Sequence, residues 1–194
     1  MERPPPGDVP RVLEEAGLEM PIPAGSALWY YHPEGPVPFL HRCVKFHGFQ
    51  RLGERLGSLL GAVVGDRLDC SSALEPATIV PVPLHPIRYA ERGYNQAEAI
   101  AVGVGRALGL PVSGNALLRT RLAASQVGRT REDRLEHIRE AFSINPEGSP
   151  GGAIILVDDV VTTGATMRAA VDALRHAGLT CLHVAALAVV MPQT

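Results

Sequence analysis

The stretch Ala153-Ile-Ile-Leu-Val-Asp-Asp-Val-Val-Thr-Thr-Gly-Ala-Thr166 limits what this chain can fold into more than any other segment. Ala153 to Val157 is a short apolar run rich in β-branched residues, the pattern of a strand buried on both faces of a parallel sheet. Two adjacent carboxylates, Asp158 and Asp159, stand at its carboxyl end. Thr162-Thr163-Gly164-Ala165-Thr166 then opens a helix on which Met167, Ala170, Val171 and Leu174 keep the helical period. Gly178 falls where a helix C-terminus favours a left-handed residue. This strand–loop–helix offers the backbone N–H groups and hydroxyls of Thr162, Thr163 and Gly164 to a phosphate at a helix N-terminus. The carboxylates beside it suit ribose hydroxyls, a divalent cation, or both. Neighbouring carboxylates repel unless something compensates them, which argues against a merely structural turn. No Gly-x4-Gly-Lys-Ser/Thr occurs anywhere in the chain, so a P-loop nucleotide site is excluded.

A chain of 194 residues, 46% hydrophobic, supplies the core of one sizeable α/β domain. Its net charge of −2 makes no global electrostatic attraction to nucleic acid or membrane, so any DNA contact must come from a local patch. Cys43, Cys70 and Cys181 are far apart and form no Cys-x-x-Cys pair, which leaves neither a zinc ribbon nor a disulfide framework. Reduced thiols and a cytoplasmic setting are the expectation. The start of the chain is Pro-rich and acidic, unlike a secretory signal, and no apolar run reaches the ~18 residues of a membrane span. Residues 1–26 read as a Pro-rich tail and 27–194 as the folded domain, of which 27–70 is an N-terminal strand and helical segment without a zinc module.

Along the chain, a short helix is expected around Val12, Leu13, Ala16 and Leu18, then a strand from Ala27 to Tyr31. Helices follow over 37–47 and from Phe49 to about Leu68. The second carries glycine at 53, 57 and 61, a spacing that suits tight packing on a neighbour; its charges exclude a membrane span. Thr78 to Pro83 is a strand whose prolines confine its later part to a strand end. A basic loop with Leu84, His85, Arg88 and Arg92 leads into a helix from Tyr94 to Leu108 closed by Gly109. Gly103-x-Gly105 lies mid-helix, in the wrong place for a dinucleotide fingerprint. Ala141 to Ile144 and Cys181 to Met191 complete the strands. Alternation of strands and helices implies a mostly parallel sheet covered on both faces.

Beyond strand carboxyl ends is where such a sheet places ligands. Arg88, Arg92 and the backbone at Leu84 and His85 therefore suit a second phosphate group; a solvent-facing role serves His85 equally well. The arginines from Arg119 to Arg139 are partly offset by Glu132, Asp133, Glu136 and Glu140. After Thr130 they suit a solvated helix face with ion pairs. The preceding part, holding Arg119, Arg121, Gln126 and Arg129, reads as a loop that closes over an active site.

Leu156-Val-Asp-Asp-Val-Val-Thr-Thr-Gly-Ala-Thr166 resembles the phosphoribosyl-pyrophosphate (PRPP) loop of type I phosphoribosyltransferases. Val80-Pro-Val-Pro-Leu-His-Pro86, Glu91-Arg-Gly-Tyr-Asn-Gln96 and Arg119-Thr-Arg121 with Gln126, Arg134 and Phe142 narrow the resemblance to the ComF family of competence-associated proteins. Tyr31 to Leu60, with Lys45, is similar to the segment that precedes the core in that family. The resemblance implies a type I phosphoribosyltransferase fold, PRPP as ligand and Mg2+ as cofactor. By carry-over, Asp158 and Asp159 would be the catalytic carboxylates, with Mg2+ held through PRPP and by one or both of them. Thr162, Thr163, Gly164, Ala165 and Thr166 would hold the 5′-phosphate; Leu84, His85, Arg88, Arg92 and Lys45 would hold pyrophosphate. Transfer of a phosphoribosyl group to an unidentified nitrogen nucleophile is the expected reaction. A non-catalytic role in DNA uptake, with PRPP sensed or single-stranded DNA or a competence-machinery protein bound, is the alternative. The apolar early helices could serve a homodimer. Two departures stand out: the four-cysteine zinc module common in the family has no counterpart here, and His137 stands where asparagine is usual.

Overall fold

The computed structural model describes residues 3–19, 23–46, 49–68, 77–119, 141–148 and 150–190. Strands β1 (Ala24–Tyr30), β2 (Thr78–Pro81), β5 (Ala153–Val161) and β6 (Thr180–Val189) form one parallel sheet in the order β1-β6-β5-β2. Strands β3 (Leu117–Arg119) and β4 (Phe142–Ile144) make a small antiparallel pair apart from it. The helices are α1 (Asp8–Glu15), α2 (Val37–Phe46), α3 (Gln50–Gly65), α4 (Pro86–Arg92), α5 (Gln96–Leu108) and α6 (Ala165–His176).

Side-chain alternation along β5 sorts the interior into two layers. Ile154 and Leu156 face Leu13, Met167, Val171 and Leu174 of α1 and α6, together with Leu117 and Phe142 of the β3–β4 pair. Ile155 and Val157 face Leu60, Val63, Ile100 and Val104 of α3 and α5. Full burial of side chains of this size is worth roughly 1.5–3 kcal/mol each, so the central strand, covered on both sides, is the most strongly held element.

The expected helix–helix packing at the repeated glycines is present, and its partner is α5. A Cβ on Gly57 would lie 2.1 Å from the carbonyl oxygen of Ile100, and one on Gly103 would lie 2.0 Å from that of Glu54. The two helices meet backbone to backbone, and the glycines are what let them do so.

Several boundaries differ from the expectation, among them the start of β1, which begins at Ala24 inside the expected tail. Strand β5 runs on through both aspartates to Val161, because β6 continues beside it with Asp158 opposite Ala186 and Val161 opposite Val189. The helix after the threonines starts at Ala165, with Gly164 as its N-cap. The basic segment after Val82 contains the short helix α4, capped by the His85 ring, whose Nδ1 accepts from the Ile87 N–H at 3.2 Å. The reading of residues 1–26 as a tail is corrected within residues 8–15. They form α1, with Val9 only 1% exposed and Leu13 fully buried in the same core as α6. No helix among the described residues is long and apolar enough to cross a membrane.

The backbone contact between α3 and α5 yields a prediction. Gly57→Ala gains helix propensity but must push the helices apart, so a net loss of about 1–3 kcal/mol is expected. Gly65→Ala, whose new methyl would meet only the end of Leu108 at 3.2 Å, should be near neutral. Thermal unfolding of the two variants beside the wild type checks the contrast.

Candidate active site

The site begins where β2 ends. Pro81 pairs with Val157, Val82 donates its N–H to the Val157 carbonyl at 2.8 Å, and Pro83 has no N–H to give. From Asp158 onward β5 is therefore paired to β6 alone. On the vacated side lies a cavity of about 490 Å³. Asp158, Asp159 and Val160 line its floor. Leu84, His85, Arg88 and Arg92 line one side, and Lys45 of α2, Gln96 of α5 and Arg119 of β3 also reach it. A smaller recess formed by residues 160–162 and 164–167 adjoins it, sharing Asp158, Val160 and Thr166 with the larger space.

The two carboxylates occupy different surroundings, as alternation along a strand requires. Asp159 is met from the α3–α5 layer. Its Oδ2 accepts from His41 Nε2 at 2.9 Å and lies 3.4 Å from Gln96 Nε2, while Oδ1 accepts from the Val160 N–H at 2.7 Å. Burial alone would raise its pKa, but His41, the Val160 N–H and the charge of Lys45 outweigh burial and hold it below the usual carboxylate range. Asp158 is met from the other layer, and among the described residues its Oδ1 accepts its neighbour's N–H, from Asp159 at 2.8 Å. Burial first, and the Asp159 charge second, push its pKa well above the carboxylate range, against the opposing pull of Arg119. One carboxylate is thus tied down and ionised; the other favours its proton until a cation or a hydrogen-bond donor arrives.

Arg119 is better placed than a loop assignment suggests. It is the last residue of β3, its guanidinium carbon sits 5.3 Å from the centre of the Phe142 ring, and its Nε is buried without a hydrogen-bond partner among the described residues. Burial lowers its pKa and the Asp158 charge raises it. A cation held on an aromatic face with an unused donor beside a cavity is prepared for an anion.

Of the other predicted residues, Thr162 and Thr163 are exposed ahead of α6, and Gly164 is buried with φ +74°, a conformation that favours glycine. Arg88 is held by Glu91 at 2.9 Å on the exposed side of α4. Arg121, Gln126 and Arg129 fall outside the described residues. The principal residue that sequence reasoning passed over is His41. A signal existed: His41 and Lys45 stand four apart on α2 and so share one face, and Lys45 was already assigned to the site. Gln96, 2% exposed and facing Asp159, lay inside a recognised motif without a role of its own.

The raised pKa of Asp158 has a consequence for stability. The native state keeps this proton to higher pH than the unfolded chain does, so between the ordinary carboxylate pKa and the raised one stability falls as pH rises. Asp158→Asn mimics the protonated form and removes that loss. It should match the wild type near pH 4 and exceed it in Tm by a margin that grows as pH rises toward 8. Melting curves of both proteins across that range test the widening gap.

Residues 118–193 match the model of the phosphoribosyl transferase domain. Competence protein F of Haemophilus influenzae is 32% identical over 155 residues, spanning 79% of this chain and 68% of that protein. The DNA utilization protein YhgH of Escherichia coli K12 is 29% identical over 147 residues, or 76% of this chain and 64% of that one. The chain thus spans about two thirds of the length of these relatives. Among solved structures, the allosteric regulatory enzyme of purine biosynthesis is similar over 70% of this chain and 25% of its own, at 22% identity and a TM-score of 0.41. The domain match, the parallel sheet with its strand–loop–helix, and the extent of the similarity to Competence protein F together make this chain a member of the ComF family, with the type I phosphoribosyltransferase fold.

Proposed function

We propose that the chain binds PRPP together with Mg2+ and transfers its phosphoribosyl group to a nitrogen nucleophile. The observation that carries this reading is the adjacency of two spaces that share Asp158, Val160 and Thr166: a recess at a helix N-terminus, and a cavity that runs past both strand carboxylates to a cluster of cations. A 5′-phosphate suits the N–H groups and hydroxyls of residues 162–166. The ribose hydroxyls then fall to Asp158 and Asp159. Pyrophosphate suits Arg88, Arg92, Lys45 and Arg119, with Leu84 and His85 beside them.

The described residues contain no cluster of three or more histidine, cysteine or acidic side chains that would hold a resident metal. They do fit Mg2+ delivered by the substrate, which needs one or two carboxylates besides phosphate oxygens, and Asp158, which lines both the cavity and the adjoining recess, is the better placed. Bound there, Mg2+ would offset charge on the departing pyrophosphate. In the reaction the C1′–oxygen bond to pyrophosphate breaks, the C1′–nitrogen bond forms, and the nitrogen releases a proton. The chain's own work is positioning and electrostatics. The loop and the cations fix the two phosphate ends, while the ionised Asp159 favours positive charge developing on the sugar; no protein nucleophile is required.

Calorimetric titration with PRPP and Mg2+ tests the reading. Micromolar binding is expected for the wild type, together with its loss in the Asp158→Asn, Asp159→Asn double variant. Absence of binding to the wild type refutes it. Pyrophosphate release across a screen of bases, amines and ammonia then separates an enzyme from a PRPP-responsive accessory protein. The name of the Escherichia coli relative, a DNA utilization protein, favours a second reading in which the cationic rim contacts single-stranded DNA. That reading requires binding that weakens steeply with salt, and no retention of a labelled oligonucleotide at low salt would exclude it.

A further inference from the structure

The phosphate loop has a back wall, and that wall is the N-terminal helix. At Gly164 a Cβ would lie 2.8 Å from the carbonyl oxygen of Val12, 3.1 Å from the Ala16 methyl and 3.2 Å from the Val12 side chain. Helix α1 therefore rests on the backbone of the loop itself. Val9, Val12 and Leu13 share their core with Val161 and Met167, the residues that bracket the loop.

This contact carries an electrostatic cost for any anion bound at the loop, although the two helix poles themselves attract. The carbonyl end of a helix is its negative pole, and α1 has no basic residue in its last turn to offset it. That pole stands next to the positive N-terminal pole of α6, where an anion would bind. The compensation comes from α6. Arg168, 7% exposed, donates from Nη1 to the Ala16 carbonyl at 2.7 Å, and its Nε is 3.4 Å from Asp172. Two turns further on, Arg175 donates to the Glu19 carbonyl at 2.8 Å. The chain leaves α1 through Gly17, φ +81°, where a Cβ would come within 3.2 Å of the same Arg168 nitrogen.

We infer that α1 docking and anion occupancy of the phosphate loop are thermodynamically linked, with Arg168 as the positioning residue that links them. Arg168 neutralises the carbonyl pole of α1 and fixes the wall behind Gly164, so the loop's N–H groups keep their aim without reorganisation. By reciprocity, whatever tightens the loop around a phosphate holds α1 down, and whatever pulls α1 away loosens the loop. The inference rests on the proposed role of residues 162–166 as a phosphate cradle, and its test separates the two.

The experiment is amide hydrogen exchange on the full chain, alone, with PRPP and Mg2+, and with inorganic phosphate, paired with calorimetric affinities. Ligand at about a hundred times its Kd should slow exchange in both the loop and α1 by about tenfold or more. Arg168→Met should speed exchange in α1 without ligand and weaken PRPP binding by about tenfold, with Arg168→Lys recovering part of both. Loop protection by PRPP with α1 unchanged overturns the linkage, as does wild-type affinity in Arg168→Met. Inorganic phosphate protecting loop and helix while PRPP does neither keeps the linkage and overturns the PRPP reading. Failure of both anions to protect the loop overturns both.

Discussion

The architecture of the site follows from the point at which β2 releases β5. Two prolines flank Val82, and the second, at 83, has no N–H to extend the ladder, so β5 continues with a neighbour on one side only. The continuation is not frayed, because β6 runs beside it to Val189. The result is a rigid strand with one open edge, and the aspartates stand on that edge. A longer β2 would fill the cavity with backbone; a shorter β6 would leave the carboxylates on a mobile loop.

Placing the pair inside the strand also separates their chemistry. Successive strand residues address opposite faces of a sheet, so Asp159 finds His41 and Gln96 of α2 and α5, whereas Asp158 lies toward Arg119 on the β3–β4 pair. The pair still feel each other, since the Asp159 charge adds to burial in raising the Asp158 pKa. Identical side chains, adjacent in sequence, acquire opposite protonation preferences because the two covering layers differ.

How far the molecule is legible in its sequence depends on how local each feature is. The strand, carboxylates, threonines and glycine of 153–166 are contiguous, and so is the period of α6; both can be read directly. The end of the strand was misplaced because two charges contradict a buried-strand pattern, and only pairing with β6, distant in sequence, overrides them. Helix α1 is legible in part: the apolar spacing of Val12, Leu13, Ala16 and Leu18 predicts a helix, but the prolines that crowd its beginning make the segment read as a tail. Pro10, however, lies in the first turn, where a missing N–H removes no intrahelical bond. His41 and Gln96 carry no motif of their own, since their function is assembled from separate helices onto one oxygen of Asp159.

The antiparallel pairing of Arg119 with Phe142 has a further consequence. The two residues are held one strand spacing apart, with Arg119 at the cavity wall beside Asp158. The guanidinium is thus anchored by a strand pair that lies outside the central sheet, while the carboxylate it acts on belongs to that sheet. A change in the β3–β4 pair can therefore retune Asp158 without moving the strand that carries it.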